Sequence, residues 1–156
     1  MSEMHKIVIT DASCFILLDK IGELELLLKL YGTVITTPVI ANEYGNVIPD
    51  WFIIESAKNS SFQELLELQI DAGESSAIAL AIEKTECTII LDDLKARKIA
   101  KKLGLKITGT LGVIIKSKLN GIIPSIKPLI AKIKLTDFRI SEELEKIALN
   151  EAEEEK

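Results

Sequence analysis

The spacing of apolar residues changes along this chain, and each change marks an element. Residues 6–10 hold Ile7, Val8 and Ile9 in one run closed by Thr10, and similar runs recur at 34–36 and 88–91. Short β-branched runs with polar borders predict strands buried on both faces of a parallel sheet. Weaker runs at 52–55 and 105–107 predict shorter strands. Between them the spacing lengthens to that of helices: Leu24, Leu27, Leu28 and Tyr31 within 23–31, Ala77, Ile78, Ala81 and Ile82 in a segment opened by Asp71, and Ile99, Ala100 and Leu103 within 94–103. Further helices are predicted over 14–20 with Ser13 as cap, and over 38–44, 60–68, 111–119 and 125–134. A last one opens at Ser141, with 151–156 expected to fray. Thr37-Pro38 is a helix start, a hydroxyl cap before a proline, and Gly32, Gly45, Gly104 and Gly121 are stops. The resulting order, βαα-βα-β-αα-βα-β-ααα, predicts a three-layer α/β/α sandwich around a mostly parallel sheet. No repeat or linker divides the chain, so one domain over 1–156 is expected, with 142–156 as a terminal acidic helix.

Composition narrows the class. No apolar run approaches the roughly 18–20 residues needed to span a bilayer, so no membrane partner is expected. The start, Met1-Ser2-Glu3-Met4-His5-Lys6, carries an acid and leads into a strand, unlike a signal peptide. Cys14 and Cys87 show no CxxC spacing and read as free thiols of a cytoplasmic protein. The net charge of −5 conceals a segregation: residues 1–93 carry 5 basic and 16 acidic side chains, whereas 94–136 carry 11 basic and none acidic. A cation-binding half beside a phosphate-binding half fits that division, although solvated helix faces would show it too. The acidic pI of about 5.0 argues against tight, non-specific duplex binding.

Carboxylates stand where strands end. Asp11 follows the first strand and Asp92-Asp93 follow the fourth, while Glu43 and Glu74 lie on adjoining helices. In parallel sheets ligands bind at the carboxyl ends of the strands. Clustered carboxylates repel and raise one another's pKa, so such a cluster calls for a cation. Oxygen ligands without histidine select Mg²⁺ or Mn²⁺ over zinc; His5, ahead of the first strand, has no partner of ligand type. Taken singly, Glu74 and Asp93 are also explained as helix-start acids and Glu43 as a solvated one.

Asp11-Ala12-Ser13, Gly73-Glu74-Ser75-Ser76-Ala77-Ile78-Ala79-Leu80-Ala81, Leu91-Asp92-Asp93 with Ala96-Arg97, and Thr108-Gly109-Thr110-Leu111-Gly112 resemble the PIN-domain ribonucleases, in a branch related to VapC-type toxins. The resemblance covers nearly the whole chain. It implies a Mg²⁺- or Mn²⁺-dependent endoribonuclease that prefers single strands. Asp11 matches the family's first acid, Glu43 the second, Glu74 the third, and Asp92 or Asp93 the fourth. Ser13 matches a hydroxyl position that supports a metal-bound water, and Thr108 or Thr110 lies at the site edge. Lys95, Arg97, Lys98, Lys101 and Lys102, on the helix after the acids, would guide the RNA backbone. A cognate antitoxin protein and a homodimer are the implied partners besides RNA. Two departures stand out. Ala12 replaces a hydroxyl common in this branch, and the third acid is glutamate where many members have aspartate.

Two other classes compete. One is a PIN-like binding module without turnover, to which the Ala12 departure points. The other is a phosphoacceptor receiver, which also gathers acids at a sheet edge. A receiver places its acid pair after the first strand and a lysine after a late one. Here the pair comes late, and Ile107 is followed by Thr108-Gly109-Thr110.

Overall fold

The computed structural model describes residues 6–155; His5 and the four residues before it lie outside them. Five strands form one sheet: β1 (Lys6–Thr10), β2 (Gly32–Thr36), β3 (Phe52–Ile54), β4 (Thr88–Ile90) and β5 (Lys106–Thr108). Their spatial order is β3-β2-β1-β4-β5 and every pairing is parallel. The expected mostly parallel sheet is thus wholly parallel, as crossover helices require. Nine helices flank it among the described residues: α1 (Ala12–Lys20), α2 (Glu25–Tyr31), α3 (Pro38–Tyr44), α4 (Ser60–Leu66), α5 (Ala72–Ile82), α6 (Leu94–Lys102), α7 (Thr110–Leu119), α8 (Lys127–Ile133) and α9 (Glu142–Glu151). This is the three-layer α/β/α sandwich expected from the apolar pattern. No described helix is long and apolar enough to cross a membrane.

Burial follows the apolar pattern. Val8, Ile9, Ile89 and Ile90 are fully enclosed in the central strands, beneath Phe15, Leu18, Leu27, Tyr31, Ile78 and Leu80 from the helices. α5 is buried from Ser75 to Ala81, because its alanines and serines let the helix approach the sheet closely. α6 is its opposite: Ala96 and Ala100 face inward while Lys95, Lys98, Lys101 and Lys102 are exposed.

Three local expectations change. α1 is capped by Asp11, not Ser13: the helix starts at Ala12, and Asp11 Oδ1 accepts from Cys14 N at 2.8 Å. A carboxylate meets both the orphan amide and the positive helix end, and so outcompetes a hydroxyl two residues later. β5 lies one residue beyond its predicted span, because Ile107 pairs with Ile89 and Thr108 with Ile90. The tail from Glu151 to Glu155 is docked rather than frayed. Glu154 accepts from Ser125 Oγ (2.6 Å) and Ile126 N (2.7 Å), Lys118 Nζ donates to Ala152 O (2.8 Å), and Ala152 is fully buried.

Candidate active site

Strand order decides where a site can form. From β1 the chain moves to β2 and β3 on one side, then returns to place β4 and β5 on the other. Connections leave β1 and β4 in opposite directions, which opens a crevice between their carboxyl ends. Thr10 pairs with Ile90 there, so Asp11 and Asp92 emerge side by side.

Both carboxylates are held by backbone amides. Asp11 is 3% exposed; its Oδ1 caps α1 and its Oδ2 accepts from Asp92 N at 3.2 Å. Asp92 Oδ1 accepts from Thr110 N (2.9 Å) and Oδ2 from Thr110 Oγ1 (2.5 Å). Thr110 N is the first amide of α7, so Asp92 meets the amino-terminal end of that helix. The neighbouring Gly109 leaves room for this: a Cβ there would sit 2.9 Å from Asp92 Oδ1 and 3.0 Å from Arg97 Nη1. Thr108 lies beside them, half-buried and packed on Gly112. Asp93 does a different job, since its Oδ2 accepts from Ala96 N at 3.0 Å and caps α6.

The remaining acids sit on α3 and α5. Asp71 caps α5 by accepting from Glu74 N at 2.8 Å. Gly73 abuts the carboxylate of Glu43, and a side chain at Gly73 would occupy the place of Glu43 Oε1. A hydroxyl relay fixes the two helices: Ile40 N donates to Thr37 Oγ1 (3.2 Å), Thr37 Oγ1 lies 2.6 Å from Ser76 Oγ, and Ser76 Oγ donates to Gly73 O (2.7 Å). Asp71 is not one of the acids that the sequence points to as ligands. Its signal is the Asp-x-x-Glu spacing at a helix start, which reads as a cap alone.

Electrostatics bind these groups into one site. Burial, then the nearby charge of Asp92, pushes Asp11 up to about 8. Glu74 rises to about 7, through burial first and then Asp71 and Asp93. Partial burial and Asp71 raise Glu43 above the ordinary carboxylate range. Cys14 lies fully buried beneath the pair, and burial followed by the charges of Asp11 and Asp92 pushes its thiol well above its usual value. Cys14 and Cys87 are free thiols, as expected. Ion pairs such as Lys84–Glu55 and Lys132–Glu23 form elsewhere, and no described lysine or arginine pairs with any of the five sequence-selected acids.

No three His, Cys, Asp or Glu side chains among the described residues converge into a ready-made cage. The donors are nonetheless hard oxygens, with one carboxylate buried against another and no cationic side chain between them. That arrangement suits Mg²⁺ or Mn²⁺, ions that keep several waters and need few direct protein ligands.

The outlying candidates divide. Ser13 is exposed in the first turn of α1 and lines a shallow groove of about 280 Å³ with Ile16, Thr136 and Phe138. The α6 lysines face solvent, but Arg97 is half-buried and its Nη1 donates to Leu91 O at 2.7 Å. A cavity of about 740 Å³ lies at the opposite, amino-terminal edge of the sheet, lined by Ile7, Cys87, Thr88 and others. None of the five acids lines either of these cavities.

No curated protein matches this chain. A family model described as a PIN domain matches residues 7–154, a span that takes in all the acids above. With the parallel sheet and the acids gathered at its switch point, this places the chain plainly: it belongs to the PIN-domain family.

Proposed function

We propose that this protein is a Mg²⁺- or Mn²⁺-dependent endoribonuclease cleaving single-stranded RNA, and that it is the toxin of a type II toxin–antitoxin pair. PIN domains are generally nucleases that use divalent metal ions. The observation that carries the reading to this chain is the Asp11–Asp92 pair, two adjacent carboxylates at the switch point, one of them buried, with no cationic side chain between them.

Asp11 and Asp92 would hold the ion directly, with Glu74 and Asp93 completing its shell and Glu43 acting through water. A bound divalent cation supplies charge for the scissile phosphate and a more acidic water. The chain's own contribution is arrangement. Cys14 N and Asp92 N fix both oxygens of Asp11, while Thr110 fixes both oxygens of Asp92. Neither carboxylate then has to reorganise when substrate arrives. Glu74 would take a proton from an attacking water where it meets the ion through water rather than directly. Lys95, Lys98, Lys101 and Lys102 draw the phosphate backbone toward the crevice. Thr108 would hydrogen-bond water or phosphate beside Asp92, and the resemblance alone gives Ser13 a similar role.

Cleavage of a labelled single-stranded RNA with Mn²⁺, compared with Asp11→Asn, tests this reading. Internal cleavage that falls by about 100-fold or more in the variant is expected, beyond the usual cost of losing an outer-shell partner. Equal cleavage by both proteins removes Asp11 from the mechanism. The toxin role rests on the resemblance to VapC-type proteins and predicts growth arrest on expression, relieved by the product of a neighbouring short reading frame. Light scattering on the purified protein tests the homodimer.

A further inference from the structure

We infer that Arg97 is a positioning residue for the carboxylate pair, acting through the Leu91–Asp92 peptide, and is not one of the RNA-contacting cations. This rests on the metal-dependent reading above. Leu91 N makes the last ladder bond of β4, to Thr108 O at 2.9 Å. Beyond it the chain leaves the sheet, and Leu91 O is left without a strand partner. Arg97, in the first turn of α6, reaches back to that oxygen, with Nη1 at 2.7 Å. The same planar unit carries Asp92 N on its other side, donating to Asp11 Oδ2 at 3.2 Å. One peptide thus links a guanidinium to the buried carboxylate: Arg97 pulls on its carbonyl, and its amide binds Asp11.

The consequence is geometric. A rotation of this peptide would break both bonds together, and would carry Asp92 away from Thr110. A charge-assisted bond to the carbonyl opposes that rotation and polarises the N–H that Asp11 accepts. Gly109 shows how closely the parts are fitted, since one added carbon would press on both Asp92 Oδ1 and Arg97 Nη1. Groups that orient metal ligands in this way tune affinity without touching the ion. The exposed lysines of α6 have no such contacts and remain free to meet phosphate.

The test measures metal and RNA separately on the full chain. Calorimetry gives Mn²⁺ affinity, fluorescence anisotropy in EDTA gives affinity for an uncleaved single-stranded RNA, and thermal unfolding in EDTA reports folding. Arg97→Gln is expected to lower Mn²⁺ affinity by about tenfold or more while RNA affinity is unchanged. Arg97→Lys, which keeps a charge but shortens the reach, recovers part of the loss. Lys95→Ala with Lys98→Ala gives the opposite pattern, weaker RNA binding and unchanged Mn²⁺ affinity. If Arg97→Gln keeps its Mn²⁺ affinity, or loses RNA affinity as the lysine variant does, the inference is overturned. Where Arg97→Gln does not fold, Arg97→Lys decides, and unchanged Mn²⁺ affinity overturns it again. A wild-type protein that binds no Mn²⁺ removes the metal reading itself, and this inference with it.

Discussion

Asp11 serves the fold and the candidate site at once. It ends β1, caps α1 and sits against Asp92, and burial followed by that neighbour raises it from 3.8 to about 8. Between those values the folded protein holds a proton that the unfolded chain has released. The proton therefore stabilises the metal-free protein fully below about pH 4, and the contribution is lost as pH rises through about 8. Asparagine keeps the cap without the charge but offers one acceptor fewer to Asp92 N. Asp11→Asn is expected to raise metal-free stability near pH 8 by about 1–2 kcal/mol, an effect that fades toward acid; thermal unfolding in EDTA at two pH values measures it. Sequence alone exposed Asp11 as a strand-ending acid. It did not expose the cap, because Ser13 is an equally good capping residue until the crossover geometry is known.

Elements bring the acids together, and here legibility was uneven. The order of strands and helices could be read from apolar spacing, since β-branched runs and small-residue helices leave distinct periods. Two placements could not. The docking of Glu154 on Ser125 and Ile126 joins segments far apart in sequence, so local composition suggested fraying instead. Arg97 stands among lysines on a basic helix, and only the position of Leu91 O shows why its side chain turns back. Gly73 is a related case, where the family phrase was visible but its physical cause, the Glu43 carboxylate lying against it, was not. Gly73→Ala separates stability from function. Alanine favours the helix by up to about 1 kcal/mol, yet its methyl displaces Glu43. The variant is expected to unfold no earlier than wild type while losing about tenfold in metal-dependent cleavage, read by calorimetry and the RNA assay side by side.

For the whole molecule, charge segregation in the sequence becomes separation in space. Asp11 and Asp92 stand at the carboxyl edge of the sheet, and the exposed lysines of α6 begin at Lys95, two residues after Asp93. On the proposed reading a cation at this edge would offset repulsion among the acids and leave the basic helix to face the phosphate backbone. On that reading metal binding and proton release would be one event, because the ion would displace protons from Asp11 and Glu74, raised to about 8 and about 7. Calorimetric titration of Mn²⁺ near pH 7, in two buffers of different ionisation enthalpy, counts those protons. The wild type is expected to release about one proton or more, from Asp11 and Glu74, with both affinity and release reduced in Asp11→Asn. Binding without proton release, or equal affinity in Asp11→Asn, would contradict a cation site built on the Asp11–Asp92 pair.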